Sequence, residues 1–152
     1  MKYQCSVDID APIHLVVNLW KDESLFGKWQ DGFQSTELLE GLADEVGAKS
    51  KIIYQQGNKR LELKETIISN SLPEEKTARY DHVHMSNTQT SRFESLSENR
   101  TRYISEVDYI SFHSLLPKLM AKLFPSMFKK QSQKWMNQFK GFVETHIKSN
   151  EP

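Results

Sequence analysis

The sequence has 152 residues, which is enough for about one domain with a hydrophobic core. Its 20 basic and 20 acidic residues cancel and alternate in sign, so neither nucleic acid nor an anionic membrane surface is favoured as a partner. Because Cys5 is the single cysteine, an intrachain disulfide and a thiolate metal cluster are excluded. The first residues lack the apolar core of a signal peptide, and no run approaches the ~18 apolar residues of a membrane span. We therefore expect one soluble, cytoplasmic domain over residues 1–152, as a monomer or a weak homodimer.

The N-terminal part of the chain predicts one strand and two short helices. Residues 2–10 alternate between apolar and polar side chains, as a half-buried strand does. Pro12 suits a first helical turn, and apolar residues at helical spacing follow it. A second short helix is predicted over Glu23–Trp29.

The central part of the chain is β-patterned throughout. Gly57 and Asn58 predict a tight hairpin turn between two of its segments. The predicted strands, arranged as a meander, are residues 33–39, 48–56, 59–69, 76–84, 88–97 and 101–112.

Residues 114–148 repeat apolar side chains at three- and four-residue steps, which predicts a long helical segment. A straight helix of this length would span ~50 Å and overhang a compact domain. Pro125 removes a helical hydrogen bond, and the apolar stripe changes direction there. We expect a short, mobile arm or gate over residues 115–124, hinged at Pro125 to a core helix over residues 126–148. On that helix Trp135, Phe139 and Phe142 are predicted to be buried.

This order of elements, together with local motifs, resembles the helix-grip (SRPBCC) superfamily, which includes START domains, the birch-pollen allergen group and polyketide cyclase/dehydrase-like proteins. The resemblance covers nearly the whole chain. The residues that carry it are Asp8-Ile9-Asp10-Ala11-Pro12, Val17, Trp20, Trp29, Glu37 to Glu40, Val46-Gly47 and the segment KWMNQFKGFVE from Lys134 to Glu144.

The resemblance implies an α+β fold, in which a curved, seven-stranded antiparallel sheet wraps around the long C-terminal helix and leaves a cavity. It does not imply one activity, because members of this superfamily bind lipids or hormones, cyclise polyketides, activate chaperones or belong to oxygenases. The iron-binding motifs of the oxygenase branch are absent from this sequence.

Strand alternation predicts which side chains face the cavity, since charged faces belong in solvent. Several inward positions carry hydroxyl, amide or imidazole groups, which is unusual for a close-packed core. The predicted inner face consists of Ala48, Ser50, Ile52, Tyr54, Leu61, Leu63, Ile67, Ala78, Tyr80, His82, His84, Gln89, Ser91, Phe93, Ser95, Tyr103, Ser105, Val107, Tyr109 and Ser111.

From these faces we predict an enclosed small-molecule pocket. Glu65 shares the face of Leu61 and Leu63, where it would be a general base or a ligand anchor. His82 and His84 share a face as well, but no third ligand of suitable spacing completes a metal site, so neither metal nor cofactor is expected. The predicted lining is Tyr54, Tyr80, His82, Gln89, Ser91 and Tyr103 from the sheet, with Met127, Phe128 and Trp135 from the helix.

Three functions remain compatible with this pattern. The favoured one is a carrier or sensor of a small hydrophobic or amphipathic molecule. The first alternative is an enzyme of the polyketide cyclase/dehydratase type, in which Glu65 or His82 moves a proton. The second alternative is a chaperone-activator-like interaction module, which exposed apolar residues at 115–124 would favour. No Gly-rich phosphate loop, nucleophile elbow or His-Glu-x-x-His motif is present, so binding is favoured over catalysis.

Overall fold

The structure, a computed structural model, describes residues 1–150. Its sheet has seven strands in the order β1-β7-β6-β5-β4-β3-β2, and every neighbouring pair is antiparallel. The strands are β1 (Lys2–Ile9), β2 (Phe33–Glu40), β3 (Lys49–Gln56), β4 (Lys59–Asn70), β5 (Glu75–Asp81), β6 (Met85–Ser97) and β7 (Arg100–Phe112).

The sheet is curved, and interruptions of the strand register mark where it bends. Register shifts occur on β2 between Phe33 and Ser35, in the β4–β5 pair near Ile67, and at both ends of the β6–β7 pair. An extra residue on one strand bends it and increases its twist. The long β6 and β7 strands are therefore bent near both ends of their pairing.

Two short helices connect β1 to β2 and cover one end of the sheet. Helix α1 (Ile13–Lys21) buries Val16, Val17 and Leu19. A 3₁₀ helix, Glu23–Lys28, follows, and the Asp22 carboxylate caps it by accepting a hydrogen bond of 3.0 Å from the Ser24 backbone N–H. Gly32 then enters β2 with a φ of 76°, and a Cβ there would lie 2.2 Å from the Gln55 carbonyl oxygen, so only glycine fits this crossing.

The C-terminal segment forms two helices, α2 (Leu115–Leu123) and α3 (Pro125–Ser149). Phe124 breaks the helical geometry between them, and Pro125 occupies the first turn of α3, where its missing N–H costs nothing. The predicted interruption at this proline is confirmed. Among residues 1–150, no helix is both long enough and apolar enough to cross a bilayer.

The main core lies where the C-terminal half of α3 crosses β1 and α1. Phe139 and Val143 are fully buried there, and Met136 is nearly so. Phe139 packs edge-on against Trp29 and Tyr103, with ring centroids 4.9 and 5.9 Å apart. The burial predicted for Phe139 is confirmed, but Trp135 and Phe142 are only half-buried. Phe142 packs against the edge of this core, whereas Trp135 lies outside it.

Candidate functional site

A cavity of about 800 Å³ separates the N-terminal half of α3 from the sheet. Its floor is the concave face of β3 to β7, and its remaining walls are α2, α3 and the residues around the 3₁₀ helix. All predicted lining residues lie on its wall, namely Tyr54, Tyr80, His82, Gln89, Ser91, Tyr103, Met127, Phe128 and Trp135. Their role in ligand binding stays a prediction.

The cavity is open to solvent rather than enclosed, which corrects the sequence-based expectation. Leu116 and Met127 contribute to its wall and yet are 68% and 51% exposed. Part of the opening therefore lies beside α2 and the start of α3. Glu23, Asp44 and Lys59 are exposed wall residues at other places on the rim.

Glu65 lies on the cavity wall, as its position among the alternating residues of β4 predicted. Its Oε2 accepts a hydrogen bond of 2.8 Å from the hydroxyl of Tyr80, its partner across the β4–β5 pair. Burial raises the pKa of Tyr80 well above its usual value, and the adjacent Glu65 raises it further. Tyr80 is therefore a fixed neutral donor, and the Glu65 carboxylate keeps lone pairs for other donors.

Besides Glu65 and Tyr80, the cavity contains the polar atoms of three other aromatic side chains. The Tyr54 ring stacks on Trp135 with centroids 5.4 Å apart, and its hydroxyl donates a hydrogen bond of 2.7 Å to Gln30 Oε1. The indole N–H groups of Trp29 and Trp135 are buried without a partner among residues 1–150. Both residues line the cavity. Since an unpaired buried donor costs about 1–3 kcal/mol, these two groups favour an acceptor from outside the chain.

Charged residues at one end of the cavity were missed by the sequence analysis. Lys76 Nζ lies 3.1 Å from Asp44 Oδ1 and 5.7 Å from the centre of the Trp20 ring. Partial burial raises the pKa of Glu23, and the nearby carboxylates of Asp44 and Glu65 raise it further. Lys76 shares the inner face of β5 with Ala78 and Tyr80, so strand alternation carried the signal for this residue. No sequence pattern indicated that Glu23 and Asp44 would meet it.

The prediction that His82 and His84 project from one face of a strand is wrong. Strand β5 ends at Asp81, and both histidines lie in the turn before β6. His82 reaches the cavity, where burial lowers its pKa and neighbouring His84 lowers it further. His84 is exposed, and its Nδ1 lies 2.6 Å from Ser114 Oγ.

His113 also lies at this end of the sheet, because its backbone N–H donates to the His84 carbonyl. Its imidazole turns instead toward Ser86 and Ser111, with Nε2 3.3 Å from each hydroxyl. Within residues 1–150, no cluster of three or more His, Cys, Asp or Glu side chains is placed to hold a metal ion.

Ser111 is a further correction, since it was predicted to face the cavity. The β6–β7 pairing shifts at Ile110, so that Ser86 pairs with Ser111 while Asn87 pairs with Tyr109. This extra residue reverses the alternation beyond Tyr109. Ser86 donates to Asp81 on the outer face of the sheet, and Ser111 lies beside it.

Comparison with known proteins gives similarity in structure but not in sequence. No protein-family model matches the sequence, and no curated protein matches it. An aromatase/cyclase, Zhui, from Streptomyces sp. R1128 superposes with a TM-score of 0.77 at 13% identity, over 97% of this chain and 95% of that one.

Two further solved structures are similar to the same extent. Ara h 8.0201 has a TM-score of 0.75 at 14% identity, over 95% of this chain and 98% of that one. A START superfamily protein from Mycobacterium smegmatis has a TM-score of 0.75 at 12% identity, over 95% and 97%. This chain has the helix-grip fold. The fold predicted from the sequence is thereby confirmed.

The sheet packs directly against the C-terminal half of α3, whereas the N-terminal half of α3 forms one wall of the cavity. The fold by itself does not assign an activity, so any functional argument has to come from the side chains of the cavity.

Proposed function

We propose that this protein binds a small amphipathic molecule in the cavity between its sheet and α3, as a carrier or sensor. The observation that supports this most directly is the cavity of about 800 Å³, within the range of 300–1,000 Å³ usual for ligand pockets. Leu61, Leu63, Met127 and Phe128 offer an apolar wall. A close-packed core would not leave this volume empty.

The polar groups of the cavity support a ligand that has both a donor and an acceptor. The Glu65 carboxylate has capacity to accept a hydrogen bond from a ligand hydroxyl, since Tyr80 occupies only part of it. The unpartnered N–H groups of Trp29 and Trp135 suit a carbonyl or carboxyl oxygen. A hydroxylated aromatic molecule or a hydroxy fatty acid combines these features with a large apolar area. The sequence-based expectation of a cytoplasmic location belongs to the same proposal.

Native mass spectrometry of the protein purified from its own host tests this proposal. We expect an additional mass of a few hundred daltons that is lost on denaturation, and extraction then identifies the ligand. Adding it back at 100 times its dissociation constant is expected to stabilise the fold by about 2.7 kcal/mol. A protein that carries no ligand and is stabilised by no amphipathic compound of this size would contradict the proposal.

The matched pair Glu65→Gln and Glu62→Gln assigns the site. Both residues lie on β4, but Glu62 is exposed on the outer face and Glu65 lines the cavity. We expect Glu65→Gln to weaken binding of a hydroxyl-bearing ligand by about tenfold, the loss of one charge-assisted hydrogen bond. Glu62→Gln should leave the affinity unchanged. If the protein only binds, incubation with the wild-type protein should leave the ligand chemically unaltered.

A cyclase or dehydratase is the second candidate, supported by the Glu65–Tyr80 pair. Its 2.8 Å separation is within the range for proton transfer between a catalytic acid and base. In this case incubation with a polyketide-like substrate would give product, and Glu65→Gln would lower the rate by about 10²-fold or more. Binding without turnover favours the carrier, whereas turnover that depends on Glu65 favours the enzyme.

A further inference from the structure

Helix α2 and the start of α3 expose a contiguous set of large apolar side chains, which we call the α2 patch. Leu115 is 81% exposed, the highest value among the exposed large apolar residues of the described chain. A cluster of exposed large apolar side chains marks an interaction surface more often than singly scattered ones do. The patch consists of Leu115, Leu116, Leu119, Leu123, Phe124 and Met127.

The patch occupies one side of α2, and the helix uses its other side to contact the protein. At ~100° per residue, Leu115, Leu119 and Leu123 form one stripe along the helix. Ala121 is buried on the opposite side, and Met120 lines the cavity. The apolar stripe is therefore not part of the core, and nothing within residues 1–150 covers it.

Lysines border the patch without acidic neighbours in the sequence. Residues 109–143 contain no aspartate or glutamate and include Lys118, Lys122, Lys129, Lys130, Lys134 and Lys140. Lys134 pairs with Asp31 and Lys140 with Glu144. The other four are exposed and form no ion pair with any residue in 1–150. The zero net charge of the chain therefore hides a local positive surface.

The turn between β5 and β6 extends the patch at the start of α2. His84 lies 2.6 Å from Ser114 Oγ, and its carbonyl accepts a hydrogen bond from His113. These contacts hold the turn beside Leu115. Val83, at the tip of the turn, is 73% exposed. The apolar surface therefore continues across two separate parts of the chain.

We propose that the α2 patch docks this protein onto the surface of an anionic membrane. An apolar stripe flanked by lysines is the arrangement with which interfacial helices insert leucines among lipid chains and keep amines at the phosphates. Charge complementarity selects this partner, because each lysine near an anionic bilayer contributes attraction and no carboxylate in residues 109–143 opposes it. The inference does not depend on the ligand proposed above.

The position of the patch also relates it to the cavity opening. Leu116 and Met127 belong to both, and Met120 and Phe128 line the cavity directly behind them. Docking through α2 would therefore place the opening at the lipid surface. A molecule that partitions into the membrane could then enter the cavity without crossing water.

Vesicle co-sedimentation of the ligand-free protein tests the proposal. We expect binding to phosphatidylcholine vesicles that contain about 30 mol% phosphatidylserine and little binding to pure phosphatidylcholine, with weaker binding at high salt. Lys122→Glu should reduce partitioning by roughly 5-fold or more, since one lysine alone contributes about 5-fold. Leu119→Ser should reduce it by roughly 5-fold through lost apolar insertion.

Two control variants have the same chemistry elsewhere on the molecule. Lys64→Glu makes the same charge change on the exposed side of β4, and Leu38→Ser removes a leucine with the same 46% exposure on β2. Both should bind anionic vesicles like the wild type, and circular dichroism should be unchanged for all four variants.

Three results would overturn the proposal. These are equal binding to neutral and anionic vesicles, no binding to either, and equal losses in the control variants. The alternatives to a membrane are a second copy of the chain and a different protein. Sedimentation equilibrium in the absence of lipid tests the first: a dimer that Leu119→Ser dissociates would assign the patch to a second copy of the chain. A protein partner is the assignment if vesicles are not bound and Leu119→Ser abolishes a specific complex in the host.

Discussion

The two halves of α3 contact the same sheet in different ways. The C-terminal half buries Phe139 and Val143 completely, and its aromatic neighbours fill the space around them. The N-terminal half carries Met127 and Phe128 over a cavity of about 800 Å³. One continuous helix therefore serves as a core element at one end and as a roof at the other.

Two buried polar groups, one near each half of α3, differ in whether they have a hydrogen-bond partner. On β7, Thr101 is fully buried near the core, and its hydroxyl donates a hydrogen bond of 2.8 Å to the Ala11 carbonyl. In the cavity the indole N–H of Trp135 is unpartnered among residues 1–150. Thr101 therefore has its partner within the chain, whereas the Trp135 indole is free to donate to a ligand. The core end is not fully paired either, because Gln138 Oε1 on the C-terminal half of α3 also lacks a partner among residues 1–150.

The largest difference between the two halves of α3 is expected in the free energy of unfolding when one phenylalanine in each half is truncated to alanine. Phe139→Ala should lower the free energy of unfolding by about 3–5 kcal/mol, because a large cavity opens in a packed core. Phe128→Ala should cost about 1 kcal/mol, since that ring is half-buried beside space that already exists. Urea denaturation measures both, and equal losses would mean that the halves are packed alike.

Hydrogen exchange measures the local stability of the two halves of α3 and of α2 along the backbone. Amides of α2 and of the first two turns of α3 should exchange roughly 30-fold faster than those around Phe139, corresponding to about 2 kcal/mol less protection. A ligand should slow the exchange of α2 if this helix acts as a gate. Protection of α2 equal to that of the core helix, with and without ligand, would make it a fixed element.

A pair of substitutions on β7 tests the polar groups. Thr101→Val should destabilise the fold by about 1–2 kcal/mol, because the Ala11 carbonyl loses its buried donor. Ser105→Ala should change stability by less than about 0.5 kcal/mol, since Ser105 lines the cavity without needing a partner in the core. Thermal unfolding of the two variants measures this difference, and a larger loss at Ser105 would contradict it.

The smallest expected effect is a dependence on pH at the cavity end. The pKa of His82 is lowered by burial and by His84, so the folded protein binds a proton there less readily than the unfolded chain. His82 therefore contributes stability above the ordinary histidine pKa, and this contribution is lost as the pH falls through the lowered value.

His82→Gln should accordingly flatten the decline of the melting temperature between neutral pH and about pH 5. His14→Gln, which changes an exposed histidine on α1, is the control and should leave the decline as it is. A decline that is identical in the wild type and in both variants would argue against a lowered pKa of the partly buried His82.

Much of the architecture could be predicted because it depends on local patterns. Strict alternation placed Tyr54, Gln89 and Ser91 on the inner face, and each lines the cavity. Pro125 predicted the break between α2 and α3, because a proline in the interior of a helix removes a hydrogen bond and clashes with the preceding turn. The apolar periodicity of residues 114–148 likewise predicted the long C-terminal helical segment.

What the sequence did not reveal depends on which segments meet. The extra residue at Ile110 reverses the face of Ser111, and a bulge is defined only by the strand opposite it. Lys76 on β5 pairs with Asp44 in the loop between β2 and β3, 32 positions away in the sequence. The extent of α2 exposure likewise depends on how far that helix is from the sheet, which periodicity does not measure.

The clustering of unpaired lysines near α2 in a chain without net charge has a consequence for motion in solution. A neutral molecule feels little net force from a distant charged surface, but an uneven charge distribution in such a field produces a torque. This torque acts over the last ~8 Å of the approach at physiological ionic strength. Charge would then determine which side of the protein faces the surface at collision, and the leucines would determine how long it stays there.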